Sequence, residues 1–251
     1  MKKWGGLIAL FVALFVAVPA MAQMTLPSVN LGFKQANDPG EVVNTIKIIL
    51  VLTVLTLAPA ILIMMTSFTR LIIVFSFLRQ AMGVQQLPPN QLLVGLSLFL
   101  TFFIMGPAFT EMNTKGIQPY LKNEISQEVA LEETLAPLRK FMFAQTRPAD
   151  LSLFVKMSKM QAPKNLSEVP TMVLVPAFII SEMKTAFQIG FIIFLPFLVI
   201  DMLAASALMA MGMMMLPPVV ISMPLKIMLF LLVDGWTLLV GSMVNSFGSG
   251  S

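Results

Sequence analysis

The chain has no cysteine and no histidine. The lack of cysteine excludes disulfides, thiolate metal sites and thiol nucleophiles, and the lack of histidine removes the commonest general base and metal ligand. The sequence also has no G-x-S-x-G, H-E-x-x-H or G-x-x-x-x-G-K-[ST] motif. Asp201 and Asp234 form a carboxylate pair only in a formal sense, because neither lies in a recognisable motif. We therefore expect no catalytic residues, no metal, no cofactor and no enzymatic activity.

Charge is also scarce. Charged residues make up 11% of the chain and hydrophobic residues 57%, a balance typical of membrane proteins. The net charge is +4, and Lys2 and Lys3 supply two of these charges within a predicted targeting segment. The charge of +2 that remains is too weak to indicate nucleic-acid binding.

The first 22 residues are typical of a secretory signal peptide. Lys2 and Lys3 form the basic start, an apolar stretch covers residues 7–18, and Ala20-Met21-Ala22 forms an A-x-A cleavage site before Gln23. The apolar stretch is short for a membrane span, which favours cleavage over an uncleaved anchor. Residues 23–41 then form a periplasmic lead-in, which its proline and glycine residues mark as loop.

We assign residues 42–110 to a first apolar helical hairpin. It contains two runs of 18 uncharged residues, Ile48–Met65 and Leu92–Phe109, and each is long enough to cross the bilayer core. Apolar residues resume after the first run, so we expect a break near Thr66–Arg70. The basic bias of the connection between the runs indicates the cytoplasmic side.

Residues 111–171 differ from the apolar segments in their high content of charged residues. Between Glu111 and Pro170 the chain carries eight basic and seven acidic residues, and apolar residues recur there at helical spacing beside a charged face. Pro148 begins a second amphipathic piece. We predict a small helical domain, which alternation from the signal peptide places on the periplasmic side. Its near-balanced charge favours a solvated structural insert over a binding patch for a charged ligand.

A second apolar helical hairpin is expected over residues 172–247. Pro176 and Pro196 interrupt its first half, and proline in a membrane helix frees a backbone carbonyl and kinks the helix. The fold predicted for the whole chain is an all-α membrane protein. It consists of apolar helical hairpins with broken helices plus a small helical periplasmic insert.

The second hairpin has a methionine-rich tip. Residues 209–224 read MAMGMMMLPPVVISMP, where Gly212, Pro217 and Pro218 mark the hairpin turn. Three consecutive helical side chains point over most of the circumference, so Met213, Met214 and Met215 cannot all face one packing partner. Unbranched, polarisable methionine side chains fill hydrophobic cores, and they also adapt to changing shapes at a surface.

Ionisable residues inside these apolar segments need partners or a wet cavity. Asp201 precedes Met214 by 13 residues and Lys226 follows it by 12, so a turn at the tip places them at similar depth on facing helices. We predict an ion pair, either within one chain or between copies, which serves transport or only fixes helix register. Glu182 has no such obvious partner. Arg70 or Lys47 of a neighbouring copy, or water, are the candidates.

Two long stretches carry a family resemblance. Residues 66–107 read TSFTRLIIVFSFLRQAMGVQQLPPNQLLVGLSLFLTFFIMGP, and residues 176–241 read PAFIISEMKTAFQIGFIIFLPFLVIDMLAASALMAMGMMMLPPVVISMPLKIMLFLLVDGWTLLVG. Both resemble the signature regions of the FliP family of flagellar type III export-gate proteins, which is related to the SctR subunits of virulence injectisomes. The resemblance runs through residues 42–247, and neither signature departs from the family pattern. The predicted signal peptide is typical of the flagellar branch.

The resemblance implies a channel and interaction protein of the bacterial inner membrane. Similar proteins form a homo-pentamer that joins four FliQ copies and one FliR copy in a helical cone at the flagellar basal body, with FlhB and FlhA as further partners. Unfolded rod, hook and filament subunits pass through this cone during flagellum assembly. The hairpins of the family rise largely out of the bilayer plane in the assembly.

The resemblance also assigns residues. A constricting methionine ring of the family, the pore gasket, maps onto Met213, Met214 and Met215, and family ion pairing maps onto Asp201, Lys226 and Glu182.

Two other functions fit the composition. A small-solute or ion transporter would use midplane charged residues as its binding site. Inverted repeats would support it, and the two halves show none. A scaffold that seeds assembly of the other export proteins is compatible with the export gate.

Overall fold

The computed structural model describes residues 39–84, 88–159, 163, 165–213 and 215–248. Within these residues all regular structure is helical, which confirms the all-α prediction for this part of the chain. The signal peptide predicted over 1–22, most of the lead-in at 23–41, and Met214 lie outside the described residues. The helices are α1 (Pro39–Met64), α2 (Phe68–Ala81), α3 (Asn90–Ile104), α4 (Gly106–Met112), α5 (Gln118–Leu121), α6 (Gln127–Gln145), α7 (Pro148–Met157), α8 (Thr171–Ala210), α9 (Pro218–Leu232) and α10 (Gly235–Gly248).

The chain divides into two compact units, residues 1–53 and 54–251. In the first unit the structure describes the opening part of α1, which begins at Pro39, so that its first three residues fall within the segment predicted as loop. Proline suits the first position of a helix because its missing N–H would have no partner there. The side chains of residues 45–53 are all exposed.

In the second unit the end of α1 and the start of α2 are separated by Met65, Thr66 and Ser67. This interruption lies close to the break expected at Thr66–Arg70. Of the short helices in the described chain, α2 is the most deeply buried. Its buried side chains are Arg70, Leu71, Val74, Phe75, Leu78 and Ala81.

The main hydrophobic core forms around α2. Leu71, Val74, Phe75 and Leu78 recur at helical spacing and are at most 1% exposed. They pack with side chains of α3, α8, α9 and α10, including Phe197, Phe230 and Met243. The core therefore places α2 at the centre of the helices that were predicted as two separate hairpins.

A second core lies where the charged insert meets the apolar helices. Leu138 and Met142 of α6 pack there with Met105, Leu174 and Phe178. Ser126 caps α6, since its hydroxyl accepts a hydrogen bond from the backbone N–H of Val129 at 3.5 Å. The insert is thus fastened to the start of α8 by burial of one face, while its charged face remains in solvent.

Two helical stretches are long and apolar enough to cross a membrane: Thr45–Met64 and Thr171–Ala210. Two helix pairs meet the same test together but are bent at a break. The first, Asn90–Ile104 with Gly106–Leu121, bends by 60°, and the second, Pro218–Leu232 with Gly235–Gly248, bends by 64°. Broken helices are therefore present in the described part of the chain, but not where the prolines of the second hairpin predicted them. Pro176 and Pro196 lie inside α8, which runs without a break from Thr171 to Ala210.

Gly190 allows α2 and α8 to approach closely. A Cβ atom at this position would lie 2.7 Å from Cγ and Cδ2 of Phe77, well inside van der Waals contact. The Phe77 ring meets the Phe187 ring edge to face with centroids 5.3 Å apart. Phe77 therefore occupies the space that a side chain at 190 would need.

We predict that Gly190→Ala destabilises the protein by about 1–3 kcal/mol, because Phe77 must move and the packing of α2 on α8 is strained. Gly95→Ala is the matched control, since a Cβ there meets no atom of the described residues within 4 Å. It removes backbone entropy from the unfolded chain and should leave stability unchanged or slightly raised. The measurement is the thermal midpoint of both purified variants, and equal midpoints would refute the close-approach argument.

Candidate functional site

The first half of the methionine-rich hairpin ends in a Schellman turn. Gly212 adopts φ +76°, a left-handed conformation that glycine reaches without strain. Its N–H donates to the carbonyl of Met209 at 3.0 Å, and the N–H of Met213 donates to the carbonyl of Leu208 at 3.0 Å. Gly212 therefore ends α8 directly after Ala210 and Met211.

The second half of the hairpin begins at proline. Pro217 has φ −62° and ψ 123°, an extended conformation typical of a residue before proline, and Pro218 is the first residue of α9. The three residues predicted as the hairpin turn, Gly212, Pro217 and Pro218, thus bound the connection between the two helices.

The methionines of the tip face outward in the single chain. Met215 is 99% exposed, Met211 63% and Met213 45%. These side chains fill no core of the described chain, so packing within one chain does not account for them. Apolar side chains clustered at an exposed tip indicate a contact outside the single chain.

Asp201 and Lys226 lie together below the tip. Lys226 Nζ is 2.6 Å from Asp201 Oδ2, and the Ser222 hydroxyl donates to Asp201 Oδ1 at 2.6 Å. Ser222 precedes Lys226 by four residues, so both side chains leave the same face of α9 toward α8. These contacts fix the register of the two helices in the hairpin.

The same lysine anchors the hairpin to the core. Lys226 Nζ donates to the backbone carbonyl of Ala81 at 3.1 Å, at the C-terminal end of α2. A cation is favourable there because the last carbonyls of a helix are unpaired and carry partial negative charge. The Lys226 side chain is 4% exposed, whereas that of Asp201 is 31% exposed. The lysine is thus the buried member of the pair.

Glu182 pairs with Arg70 of its own chain. Arg70 Nε donates to Glu182 Oε2 at 2.9 Å, and Arg70 Nη2 donates to Glu182 Oε1, so the guanidinium forms a two-pronged contact with the carboxylate. The side chains are 3% and 0% exposed. Glu182 therefore points neither to water nor to a basic residue of another copy.

Besides Glu182 of α8, Arg70 contacts residues of two further helices. Its Nη2 donates to Gln145 Oε1 at 2.9 Å at the end of α6, and its Nη1 donates to Ser246 Oγ at 3.0 Å in α10. Its guanidinium carbon also lies 3.9 Å from the centroid of the Phe247 ring. One side chain of α2 thus contacts α6, α8 and α10, and we call these residues the Arg70 cluster.

A third polar contact joins the insert to α8. Asp150 of α7 accepts hydrogen bonds from Lys184 and, at 2.8 Å, from the Ser181 hydroxyl. The hydrogen bond from Lys184 holds the pKa of Asp150 below its usual value. The contribution of this carboxylate to stability is therefore present above the unfolded-state pKa and is lost as the pH falls through the folded-state pKa.

Sequence reasoning missed several of these partners. Sequence patterns indicate Arg70 only as a residue of a neighbouring copy, and they do not point to Gln145 or Ser246. Their signal is weak, because pairing across more than 70 positions depends on how the helices pack. Ser222 could have been found, since its spacing of four residues from Lys226 predicts a shared helical face. Among the described residues no cluster of acidic side chains could hold a metal ion.

The comparison with known proteins decides the family. A family model described as the FliP family matches residues 51–243, which include every predicted site residue. The chain belongs to the FliP family. The resemblance of the two signature regions is therefore confirmed.

Several curated relatives match over most of their length. Flagellar biosynthetic protein FliP of Bacillus subtilis (strain 168) is 55% identical over 212 residues, 84% of this chain and 96% of the relative. Flagellar biosynthetic protein FliP of Pectobacterium carotovorum subsp. carotovorum is 53% identical over 205 residues, 82% of this chain and 80% of the relative. The protein of the same name from Caulobacter vibrioides is 45% identical over 245 residues, 98% of this chain and 91% of the relative. The matches with these three relatives cover between 82% and 98% of this chain.

We predict an asymmetry between the two halves of the Asp201–Lys226 pair. Asp201→Ala leaves a buried ammonium without its counter-charge and should cost about 3–5 kcal/mol. Lys226→Ala leaves a carboxylate that is partly solvated and still bonded to Ser222, so it should cost less. The exchange Asp201→Lys with Lys226→Asp should recover only part of the loss, because the new carboxylate would face the Ala81 carbonyl.

The measurement is the free energy of unfolding, or the yield of folded protein, for the three variants. Glu111→Ala is the control, since it removes one member of the solvent-exposed Glu111–Lys115 pair and should be nearly neutral. Wild-type stability of both single variants would refute a structural role for the pair.

Proposed function

We propose that this protein is a core subunit of the flagellar type III export gate. In this proposal several copies, a pentamer as the family resemblance implies, assemble with FliQ and FliR in the bacterial inner membrane and form the channel for unfolded flagellar subunits. FlhB and FlhA are further proposed partners. Membership of the FliP family and relatives named flagellar biosynthetic proteins support this role.

The single observation that carries the proposal is the exposed methionine tip. Met213 and Met215 project from a hairpin whose register is set by Asp201, Ser222 and Lys226. Copies arranged around an axis would bring these tips together as a ring of thioethers, to which Met214 would add. The ion pair would then set the height of each tip in the ring.

Methionine suits a seal for a protein channel. Its flexible thioether can close a constriction, conform to cargo of any sequence, and offer no strong hydrogen bond that would retain the cargo. An apolar constriction also blocks ions by excluding water. Such a seal holds back small solutes between passages of a polypeptide.

The same proposal also gives the orientation of the chain in the membrane. The charged insert, residues 111–171, would lie on the periplasmic side with the mature N-terminus, and the signal peptide would be removed before assembly. The solvated face of α6 is compatible with that location. The insert would act as a structural support for α8, through Asp150 with Lys184 and through the second core.

The small-solute transporter receives less support. The charged residues that it would use as a binding site, Asp201, Lys226 and Glu182, are engaged in ion pairs within the chain. An apolar groove of about 520 Å³ lies between α8, α9 and α10 and has no charged side chain in its lining. No specific observation favours this alternative.

The test combines assembly with leakage. The tagged chain is co-expressed with FliQ and FliR, and the yield of the joint complex is measured beside the ion conductance of membranes that contain it. Met213→Ala, Met214→Ala and Met215→Ala are combined in one variant. We expect a normal yield and a raised conductance, because exposed methionines can be shortened without a loss of core packing.

A matched control removes three exposed methionines elsewhere, at Met157, Met172 and Met202, which are 67%, 87% and 63% exposed. This control should change neither the yield nor the conductance. If the tip residues were core filler in the complex, each truncation would cost about 2–5 kcal/mol and assembly would fail. An absence of leakage in the tip variant, at any yield, would exclude the gasket.

A further inference from the structure

Between residues 45 and 248, the ionisable side chains of the apolar helices and their connections have polar partners among the described residues, apart from two of opposite sign. Arg70 binds Glu182, Lys226 binds Asp201, and Lys184 binds Asp150 of the insert. Arg79, at the end of α2, donates to the side chain of Asn90. Lys47 and Asp234 remain, and the side chain of neither has a hydrogen bond or an ion pair to any described residue.

Asp234 lies at the break between α9 and α10. Its φ of +50° is a left-handed conformation, which aspartate tolerates better than most residues and which produces the 64° bend. Its side chain is exposed, and so are the apolar neighbours Leu231 and Leu232, at 66% and 76%. A carboxylate in such an apolar surface is costly in a membrane protein unless a cation meets it.

Lys47 belongs to an apolar helix that has an uncovered surface. It is the only charged residue of the stretch Thr45–Met64, none of whose most apolar part is buried. Its apolar neighbours Ile49, Leu50 and Val51 are 58–60% exposed. This stretch is therefore complementary to the surface around Asp234, because it is an apolar helix with a single positive charge.

We propose that Lys47 of one copy forms an ion pair with Asp234 of a second copy, with α1 lying on the exposed apolar face that ends α9. The partner at this face is a second copy of the chain, because the two unpaired charges are complementary and both lie within exposed apolar surface. The contact adds apolar burial to the ion pair and joins neighbouring subunits away from the methionine tip. It rests on the homo-oligomer of the proposed function.

The experiment uses charge reversal in the full chain co-expressed with FliQ and FliR. Lys47→Asp alone and Asp234→Lys alone place like charges together and should each remove most of the oligomer from a native gel. The double variant restores opposite charges and should recover the oligomer. Lys122→Asp, which reverses an exposed lysine on the insert, is the control and should assemble as the wild type does.

Mixing the two single variants separates a contact between copies from a contact within one chain. Chains that carry Lys47→Asp and chains that carry Asp234→Lys, with different tags, can satisfy each other only across an interface. We expect mixed oligomers that contain both tags, although each variant alone fails to assemble. Recovery in the double variant without recovery in the mixture would overturn the proposal, because the pair would then form within one chain.

The wild-type lane keeps this inference distinct from the proposed function. If the wild type forms no oligomer, both the proposed function and the Lys47–Asp234 contact are refuted. If the wild type assembles and both single variants assemble equally well, the Lys47–Asp234 contact alone is refuted.

Discussion

The rest of the structure depends on the buried ion pair between Arg70 and Glu182. Removing two charges from water is unfavourable. The attraction between them offsets this desolvation free energy only when the geometry is good and further hydrogen bonds are formed. Both conditions hold, because two nitrogens of the guanidinium donate hydrogen bonds to the carboxylate and the guanidinium also donates to Gln145 and Ser246. Loss of one partner would leave an uncompensated charge in the core. The Arg70 cluster thus favours one arrangement of the surrounding helices over any other apolar packing.

This arrangement explains how a mostly apolar chain presents a defined tip. Apolar helices can pack on one another in many registers, because hydrophobic burial has no direction. The Arg70 cluster fixes α8 at the start of α2, and Lys226 fixes the α8–α9 hairpin at the end of α2, on the carbonyl of Ala81. Two polar contacts at opposite ends of one buried helix therefore set both the position and the register of the hairpin. The exposed methionines follow from that placement.

Local features of the fold were predictable from the sequence, and long-range features were not. The hairpin turn could be predicted because Gly212, Pro217 and Pro218 act through their own backbone conformations. The approach of Asp201 and Lys226 followed from their nearly equal spacing, 13 and 12 residues, from Met214 at the tip. The burial of Arg70 among four helices could not be predicted, because a hydropathy pattern does not say which apolar face meets which. The family resemblance, confirmed over residues 51–243, supplied the basis for the proposed function, which the spacing of residues alone left open.

The most direct measurement is the yield of folded, monodisperse protein for Arg70→Lys. Lysine preserves the charge but replaces the planar fork with a single ammonium, which cannot reach Glu182, Gln145 and Ser246 together. If the Arg70 cluster organises the helices, this conservative change should lower the yield to a small fraction of the wild type and reduce protection of α10 from proteolysis. A yield and a proteolysis pattern equal to those of the wild type would contradict the account, because charge alone would then be sufficient.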